Sequence, residues 1–464
     1  MVLPHRLPIE GEALLVASPF SGRPVGEVPI ADASAVIAAV VRAKSAANAF
    51  RRSTPAERRA LLVALADRLA AEAEPMARLI AAEMGKTLFE ALNEIRRAGN
   101  TLRLSGDAAT FLDGEVLHCA IVEGCADRLA RITHEPVGVV GAVTPFNYPV
   151  NLLCHKLGPA IAAGNAVVAK PSPKAPLAAQ RLVELAEAAG WPKHLFQMVH
   201  GGAETAIALA RAPIDLLSFT GGPTGGLALK TASGLVRCLM ELGGNDPLFV
   251  MPDGDMDRAV ATAVAHRFEI AGQSCSAVKK LYLHADIADA FVERLLPAVA
   301  AHRVGDPERD DVDMGPVIDL AAAEEVERRI RATVAAGARL LAGGGRDGTL
   351  FAPTVLADVA TDAPVIADET FGPVIAIRTF RDPAEAIAEV NAGSWGLQAG
   401  VFTNDHAVVK RFTRDLVVGG VMVNEGPDFR AEHVPFGGVK SSGLGREGVR
   451  VTMREMSETK VVID

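Results

Sequence analysis

What the sequence lacks narrows its function first. It has five cysteines, Cys119, Cys125, Cys154, Cys238 and Cys275, with no Cys-x-x-Cys pair and no metal-like Cys/His spacing. An odd count without such pairs argues against a disulfide framework and a bound metal, and for a reducing, cytoplasmic setting. No stretch reaches the ~18 uninterrupted apolar residues a membrane helix needs. Met1 to Glu10 carries prolines and charges in place of an apolar signal core. There is no basic excess either. The net charge of −9 argues against nucleic acid and anionic membranes as partners. Internal repeats and low-complexity tracts are missing.

What is present suits a well-packed α/β protein. At 464 residues, 49% hydrophobic and 22% charged, the chain is long enough for two or three domains. Residues 1–30 are proline-rich and read as irregular, with a turn at Ser18 to Gly22. A helical preface follows, with Thr54-Pro55-Ala56-Glu57 as a helix start, Gly85 as a helix stop, and a last helical stretch from Thr87 to Asp113. It carries no evident chemistry. Residues 115–135 alternate loosely and predict two extended arms, either a solvent-facing hairpin or a pairing edge for another subunit. From Val137 strands and helices alternate: strands at 137–143, 166–170, 196–199 and 216–219, with helices at 157–164, 177–190 and 203–210 between them. The same rhythm restarts after Gly244, and Val461 to Ile463 closes the chain as a strand. Such alternation predicts parallel sheets that bind ligands at the carboxyl ends of their strands.

Two short segments offer reactive groups in glycine-containing turns. Gly272-Gln273-Ser274-Cys275-Ser276-Ala277 places a thiol among small residues, and Glu241-Leu242-Gly243-Gly244 places a carboxylate before a Gly-Gly pair. A lone cysteine is most often a buried hydrophobe and a lone glutamate is most often solvated. Together they are the minimum set for covalent catalysis followed by water attack. Thr144-Pro145-Phe146-Asn147 ends a strand; Asn147 is a turn former or an oxyanion donor. Phe219-Thr220-Gly221-Gly222 to Gly226 follows a strand and opens a helix. It is a tight turn or a phosphate cradle, without the common dinucleotide spacing. Lys170-Pro171-Ser172-Pro173-Lys174 is a basic turn, and Glu369-Thr370-Phe371-Gly372-Pro373 sets a carboxylate beside a ring.

Taken in order, these segments and Pro435-Phe436-Gly437-Gly438-x-Lys440-x-Ser442-Gly443 resemble the aldehyde dehydrogenase superfamily along nearly the whole chain. The resemblance implies an α/β fold with a Rossmann-type cofactor domain (residues 1–114 and 136–243) and a second α/β catalytic domain (244–445). It further implies a small β oligomerisation region (115–135 and 446–464) and a homodimer or homotetramer. It implies that Cys275 attacks an aldehyde, that Asn147 and the Cys275 N–H hold the oxyanion, and that Glu241 activates water. The cofactor is NAD or NADP, with Lys170 and Glu369 on ribose hydroxyls, Gly221 and Gly222 at the pyrophosphate and Phe371 beside the nicotinamide. Thr144, Pro145, Phe146, Ser172, Pro173, Gly201, Thr220, Gly226 and Leu242 complete the implied cofactor contacts. Pro173 stands where many NAD-preferring members carry glutamate, which makes room for a 2′-phosphate. The chain looks closest to the branch acting on lactaldehyde, phosphonoacetaldehyde and semialdehydes. In that reading Arg430, with His155 or Arg103, receives an anionic or hydroxylated tail; the alternative for Arg430 is a structural ion pair. Ser274 replaces the arginine of phosphonate-using relatives. Two rival functions remain: a CoA-acylating enzyme, and an inactive relative serving as a binding or structural protein.

Overall fold

The computed structural model describes residues 5–6 and 12–464. Four helices form the preface: Ala33–Phe50, Pro55–Ala71, Ala73–Met84 and Leu88–Ala108. Their starts follow from local chemistry. Asp32 accepts from the Ala35 N–H, and Thr54/Glu57 and Thr87/Glu90 each form a reciprocal capping box. The third helix stops at Gly85, whose φ of +80° only glycine adopts cheaply. Ahead of these helices the segment expected to be irregular pairs instead. Ala13–Ala17 runs antiparallel to Pro24–Pro29 around the Ser18 to Gly22 turn. The prolines sit at the ends of the second strand, where they obstruct no interior ladder bond.

Two parallel sheets make up the body. The first has the order Gly443–Leu444, Arg237–Glu241, Leu216–Thr220, Val139–Val143, Ala166–Lys170, Phe196–Met198, parallel except for its short first strand. The three middle strands are buried along their whole length, as continuous apolar runs between two helix layers require. The second sheet has the order Arg339–Ala342, Thr354–Ala357, Val374–Phe380, Lys280–His284, Pro247–Val250, Gln398–Phe402, Gly420–Val423, again with one antiparallel edge strand. A separate three-stranded sheet joins both arms, Glu115–His118 and Leu129–Pro136, to the terminal strand Ser457–Ile463.

The preface does more than pack. Its buried glutamates cap backbone elsewhere. Glu94 accepts from the N–H groups of Val150 (2.9 Å) and Asn151 (3.0 Å), so the helix Asn151–Ala163 starts well before the Leu157 expected from periodicity. Glu83 does the same for Leu177 and Ala178, and Glu90 accepts from the Ile270 N–H at 2.7 Å. Each removes orphan donors of a helix start or an irregular loop.

Candidate active site

The first sheet delivers its side chains at its carboxyl edge. In register, Lys170 lies beside Val143, Val143 beside Phe219, and Thr220 beside Glu241. The Thr144 to Asn147 segment, the Thr220 to Gly222 turn and Glu241 therefore emerge side by side. The second sheet contributes from its amino edge. The loop carrying Cys275 precedes Lys280–His284, and Glu369 precedes Val374–Phe380. That loop is bent hard: Ile270 and Ala271 both have φ of +53°, and Gly272 has +72°. Left-handed backbone at two non-glycine residues costs about 1–2 kcal/mol each and persists only where surroundings dictate it. Here the Glu90 carboxylate holds the Ile270 N–H, and Gln273 donates to the Ile270 carbonyl while accepting from the Ile318 N–H.

The two edges meet at a cavity of about 230 Å³ lined by Pro145, Phe146, Asn147, Leu152, Thr220, Gly221, Gly222, Glu241, Leu242, Gly243, Cys275, Glu369, Phe371, Arg430, Phe436 and Glu447. Phe146 and Phe371 meet edge to face across it, 6.0 Å apart. One N–H of the Asn147 amide donates to the Gln273 carbonyl at 2.9 Å, which ties it to the Cys275 loop. Glycines admit the carboxylates. A Cβ at Gly437 would lie 2.5 Å from Glu241 Oε1, and one at Gly243 would lie 2.1 Å from Glu369 Oε2.

Burial pushes the Cys275 thiol up to about 12, against the pull of Lys279. Lys279 is fully buried. Its ammonium donates to the carbonyls of Ser274 (2.8 Å) and Cys275 (2.6 Å) and lies 3.5 Å from Glu369. Burial, then the neighbouring Glu447, lift the Glu241 carboxyl well above the usual range; Glu241 Oε2 is buried without a partner. Burial works against ionising Glu447 too, but Lys156 (2.7 Å) and Arg430 (2.9 Å) outweigh it and hold that carboxyl down at about 2.

Of the residues expected from sequence, Thr144, Lys170, Ser172, Pro173, Gly201 and Gly226 lie outside the cavity wall. Lys170 donates to the Gly201 carbonyl at 3.0 Å, burial lowers its ammonium to about 8, and Gly226 makes room for the Leu242 side chain. His155 is buried outside the wall, between Glu432 (2.8 Å) and the Arg430 guanidinium (3.3 Å), and burial holds its imidazole below the usual range. Arg103 is exposed and paired with Asp67 at 2.6 Å. Arg430 makes the structural ion pair that was its alternative, and also lines the cavity. Sequence reasoning missed Lys156, Lys279 and Glu447. Lys156 adjoins His155, Lys279 lies four residues past the thiol, and neither stands in a glycine turn. None of the three has a local signal; their roles arise only from partners distant in the chain or bent back in space.

A family profile described as aldehyde dehydrogenase family matches residues 8–462. A 3-sulfolactaldehyde dehydrogenase from Priestia aryabhattai is 39% identical over 97% of this chain and 95% of its own. An aspartate-semialdehyde dehydrogenase 1 from Pseudomonas canavaninivorans is 41% identical over 96% of this chain and 95% of its own. Among solved structures, an NADP-dependent glyceraldehyde-3-phosphate dehydrogenase from Bacillus halodurans, complexed with NADP, superposes with a TM-score of 0.95 at 35% identity. That match covers 98% of this chain and 96% of the other.

Proposed function

The chain belongs to the aldehyde dehydrogenase family, and from that premise we propose that it oxidises a small polar or anionic aldehyde to its carboxylic acid with NAD or NADP. The observation that carries this is the convergence of Cys275, Glu241 and Asn147 on one cavity with the Thr220 to Gly222 turn. The strand-end edge fits a dinucleotide. A Cβ at Gly222 would meet nothing within 4 Å, so a ligand's phosphates can approach the backbone there. The hydroxyls of Thr144 and Thr220 are buried without partners. Among the described residues Lys170 has no carboxylate within ion-pair distance. Lys170, Glu369 and the Gly221-Gly222 backbone would hold the cofactor, and Pro173 in place of an acid suits a 2′-phosphate.

In this mechanism the Cys275 thiol gives its proton to solvent as Sγ bonds to the aldehyde carbon and the carbonyl electron pair moves onto oxygen; a proton returns to Sγ when the acid departs. The resulting oxyanion is held by the free N–H of the Asn147 amide and the Cys275 backbone N–H. A nicotinamide cofactor held at this edge would supply the hydride acceptor; Cys275 is then left carrying an acyl thioester on Sγ. Glu241, a stronger base for its raised pKa, takes a proton from the water that attacks the thioester carbon. The acid departs and the thiol is restored. Arg430 faces the tail. Relatives named for sulfonated and amino-acid aldehydes agree with a polar or charged one.

Five free cysteines suit the reducing cytoplasm, and no described helix is long and apolar enough to cross a membrane. The three-stranded sheet exposes Val116, Leu117, Val461, Val462 and Ile463, which supports subunit pairing through residues 115–135 and 446–464. Residues 1–114 with 136–243 take the cofactor role and 244–445 the catalytic one.

The test is an aldehyde panel run with each cofactor, with and without CoA. The expected result is free acid and reduced cofactor in equal amounts, independent of CoA. An acyl-CoA product would favour the acylating rival. No turnover, with Cys275 still open to thiol labelling, would favour the inactive one.

A further inference from the structure

Resting on the reaction just proposed, the two oxyanion donors of that mechanism share a support in the helix Leu88–Ala108. Glu90 and Glu94 stand one turn apart on the same face of that helix, about 6 Å along its axis. Both are buried. Each carboxylate fixes itself with one oxygen and reaches out with the other. Glu90 Oε2 accepts from the Thr87 N–H (2.8 Å) and hydroxyl (2.9 Å), while its Oε1 accepts from the Ile270 N–H at 2.7 Å, ahead of Cys275 on the same loop. Glu94 Oε2 takes the Lys86 ammonium at 2.7 Å. Its Oε1 accepts from the N–H groups of Val150 and Asn151, just past Asn147.

The hold on the Asn147 side is the more elaborate. The Lys86 ammonium also lies 3.8 Å from the centre of the Tyr148 ring, the residue next to Asn147. The helix Asn151–Ala163 has no side-chain cap from its own flanking residue, and Glu94 supplies one from outside. The two held segments meet each other as well. The Asn147 amide donates to the Gln273 carbonyl at 2.9 Å, and the Tyr148 hydroxyl donates to Glu269 at 3.2 Å. The Lys86–Glu94 pair is wholly buried. A buried pair of this kind adds little net stability over apolar packing, because desolvating both charges offsets their attraction. Its effect is directional: it dictates where the N–H groups it holds must lie.

We propose that Glu90 and Glu94, the latter with Lys86, are positioning residues of the oxyanion hole. The helix sets the spacing between the Asn147 amide and the Cys275 N–H, Glu94 acting through the first and Glu90 through the second. Neither carboxylate takes part in bond making. Their contribution is geometric, and a displacement of about 1 Å near the reacting atoms costs about a hundredfold in rate.

The test follows the first hydride transfer by stopped flow in Glu94→Asp, which keeps the charge and both oxygens but withdraws them by one methylene. That step should slow by about ten- to a hundredfold. In an Asn147→Ala background, itself slower by about 10²–10³, the same change should cost less than about twofold, because the group it acts through is gone. Glu90→Asp should instead slow the step in both backgrounds, since it acts through the other donor. Should Glu94→Asp fail to fold, Glu94→Gln, which keeps the reach and loses the ion pair, gives the same comparison. A fall in Tm with the hydride step unchanged would reduce Glu94 to a helix cap and overturn the proposal. Equal costs of the Glu94 change in both backgrounds, or a Glu90 cost that vanishes with Asn147, also overturn it and leave the reaction class intact. No reduced cofactor from the wild type with any aldehyde overturns the reaction reading, and this inference with it.

Discussion

The two sheets are built alike, each a parallel array with one antiparallel edge strand, yet they supply the site from opposite ends. The first presents residues at the carboxyl ends of its regular strands: Lys170, Thr220 and Glu241 close theirs, and Thr144 follows Val139–Val143. The second presents residues before its strands, from irregular backbone that includes two left-handed non-glycine residues. A carboxyl edge comes with turns that expose N–H groups, which suits phosphate. An amino edge has to be shaped by side chains reaching in from elsewhere, as Glu90 and Gln273 do for the Cys275 loop. The first sheet therefore offers turns that a ligand can approach, and the second holds the Cys275 thiol beside strained backbone.

The sharpest break in that comparison separates the two reactive side chains. Cys275→Ser, from the strained loop, should lower kcat by about 10⁴ or more while cofactor binding, followed by fluorescence titration, persists. Loss of cofactor affinity in parallel would mean that the two edges do not act separately. Glu241→Gln, from the regular edge, should lower steady-state kcat by about 10²–10⁴. It should retain a rapid burst of one reduced cofactor per site, because it acts after the thioester forms. A missing burst would place Glu241 in thiol activation instead.

The same asymmetry decides what could be read in advance. The regular edge was open to sequence reasoning: Val139–Val143, Ala166–Lys170 and Leu216–Thr220 are continuous apolar runs ending in the polar residues that line or border the site. Cys275 stands out in the sequence by its small-residue setting, and the structure puts it on the cavity wall, but its support gave no such signal. Glu90, Glu94 and Glu83 look like ordinary surface positions of amphipathic helices, and only the fold shows them bonded to backbone N–H groups up to 180 residues away. The preface, which carries no motif, therefore turns out to brace the Cys275 loop. Arg430 forms the structural ion pair that the sequence left as one alternative, with Glu447, and it also lines the cavity with its Nε unpartnered.

Two glycines sharpen the contrast at the level of the backbone. At Gly272 a Cβ would combine a φ of +72° with an approach of 2.4 Å to the Gly372 carbonyl oxygen. Gly272→Ala should destabilise the protein by about 2–5 kcal/mol and lower Tm by several degrees. At Gly222 φ is −69° and a Cβ meets nothing. Gly222→Ala should leave Tm unchanged within error and raise the cofactor KM several-fold, because its effect waits for a ligand. Equal Tm losses at both positions would erase the distinction between platform and strained loop.

The smallest expected effect lies at Lys279, where the second sheet's amino edge carries its own cation. Its ammonium bonds the Ser274 carbonyl, which shares a peptide with the Cys275 N–H, so it polarises that N–H. It also offsets part of the burial that raises the thiol. The sign follows directly: a cation favours the thiolate, so removing it raises the thiol pKa further and lowers the thiolate fraction at any fixed pH below it. Lys279→Met should slow iodoacetamide alkylation of Cys275 at pH 8–9 by about three- to tenfold, one pKa unit corresponding to tenfold. Lys280→Met serves as the control. That ammonium is also buried and is lowered by burial to about 8, but it does not act on the thiol. A purely structural lysine would change Tm in both variants and leave the alkylation pH profile of Lys279→Met where it was.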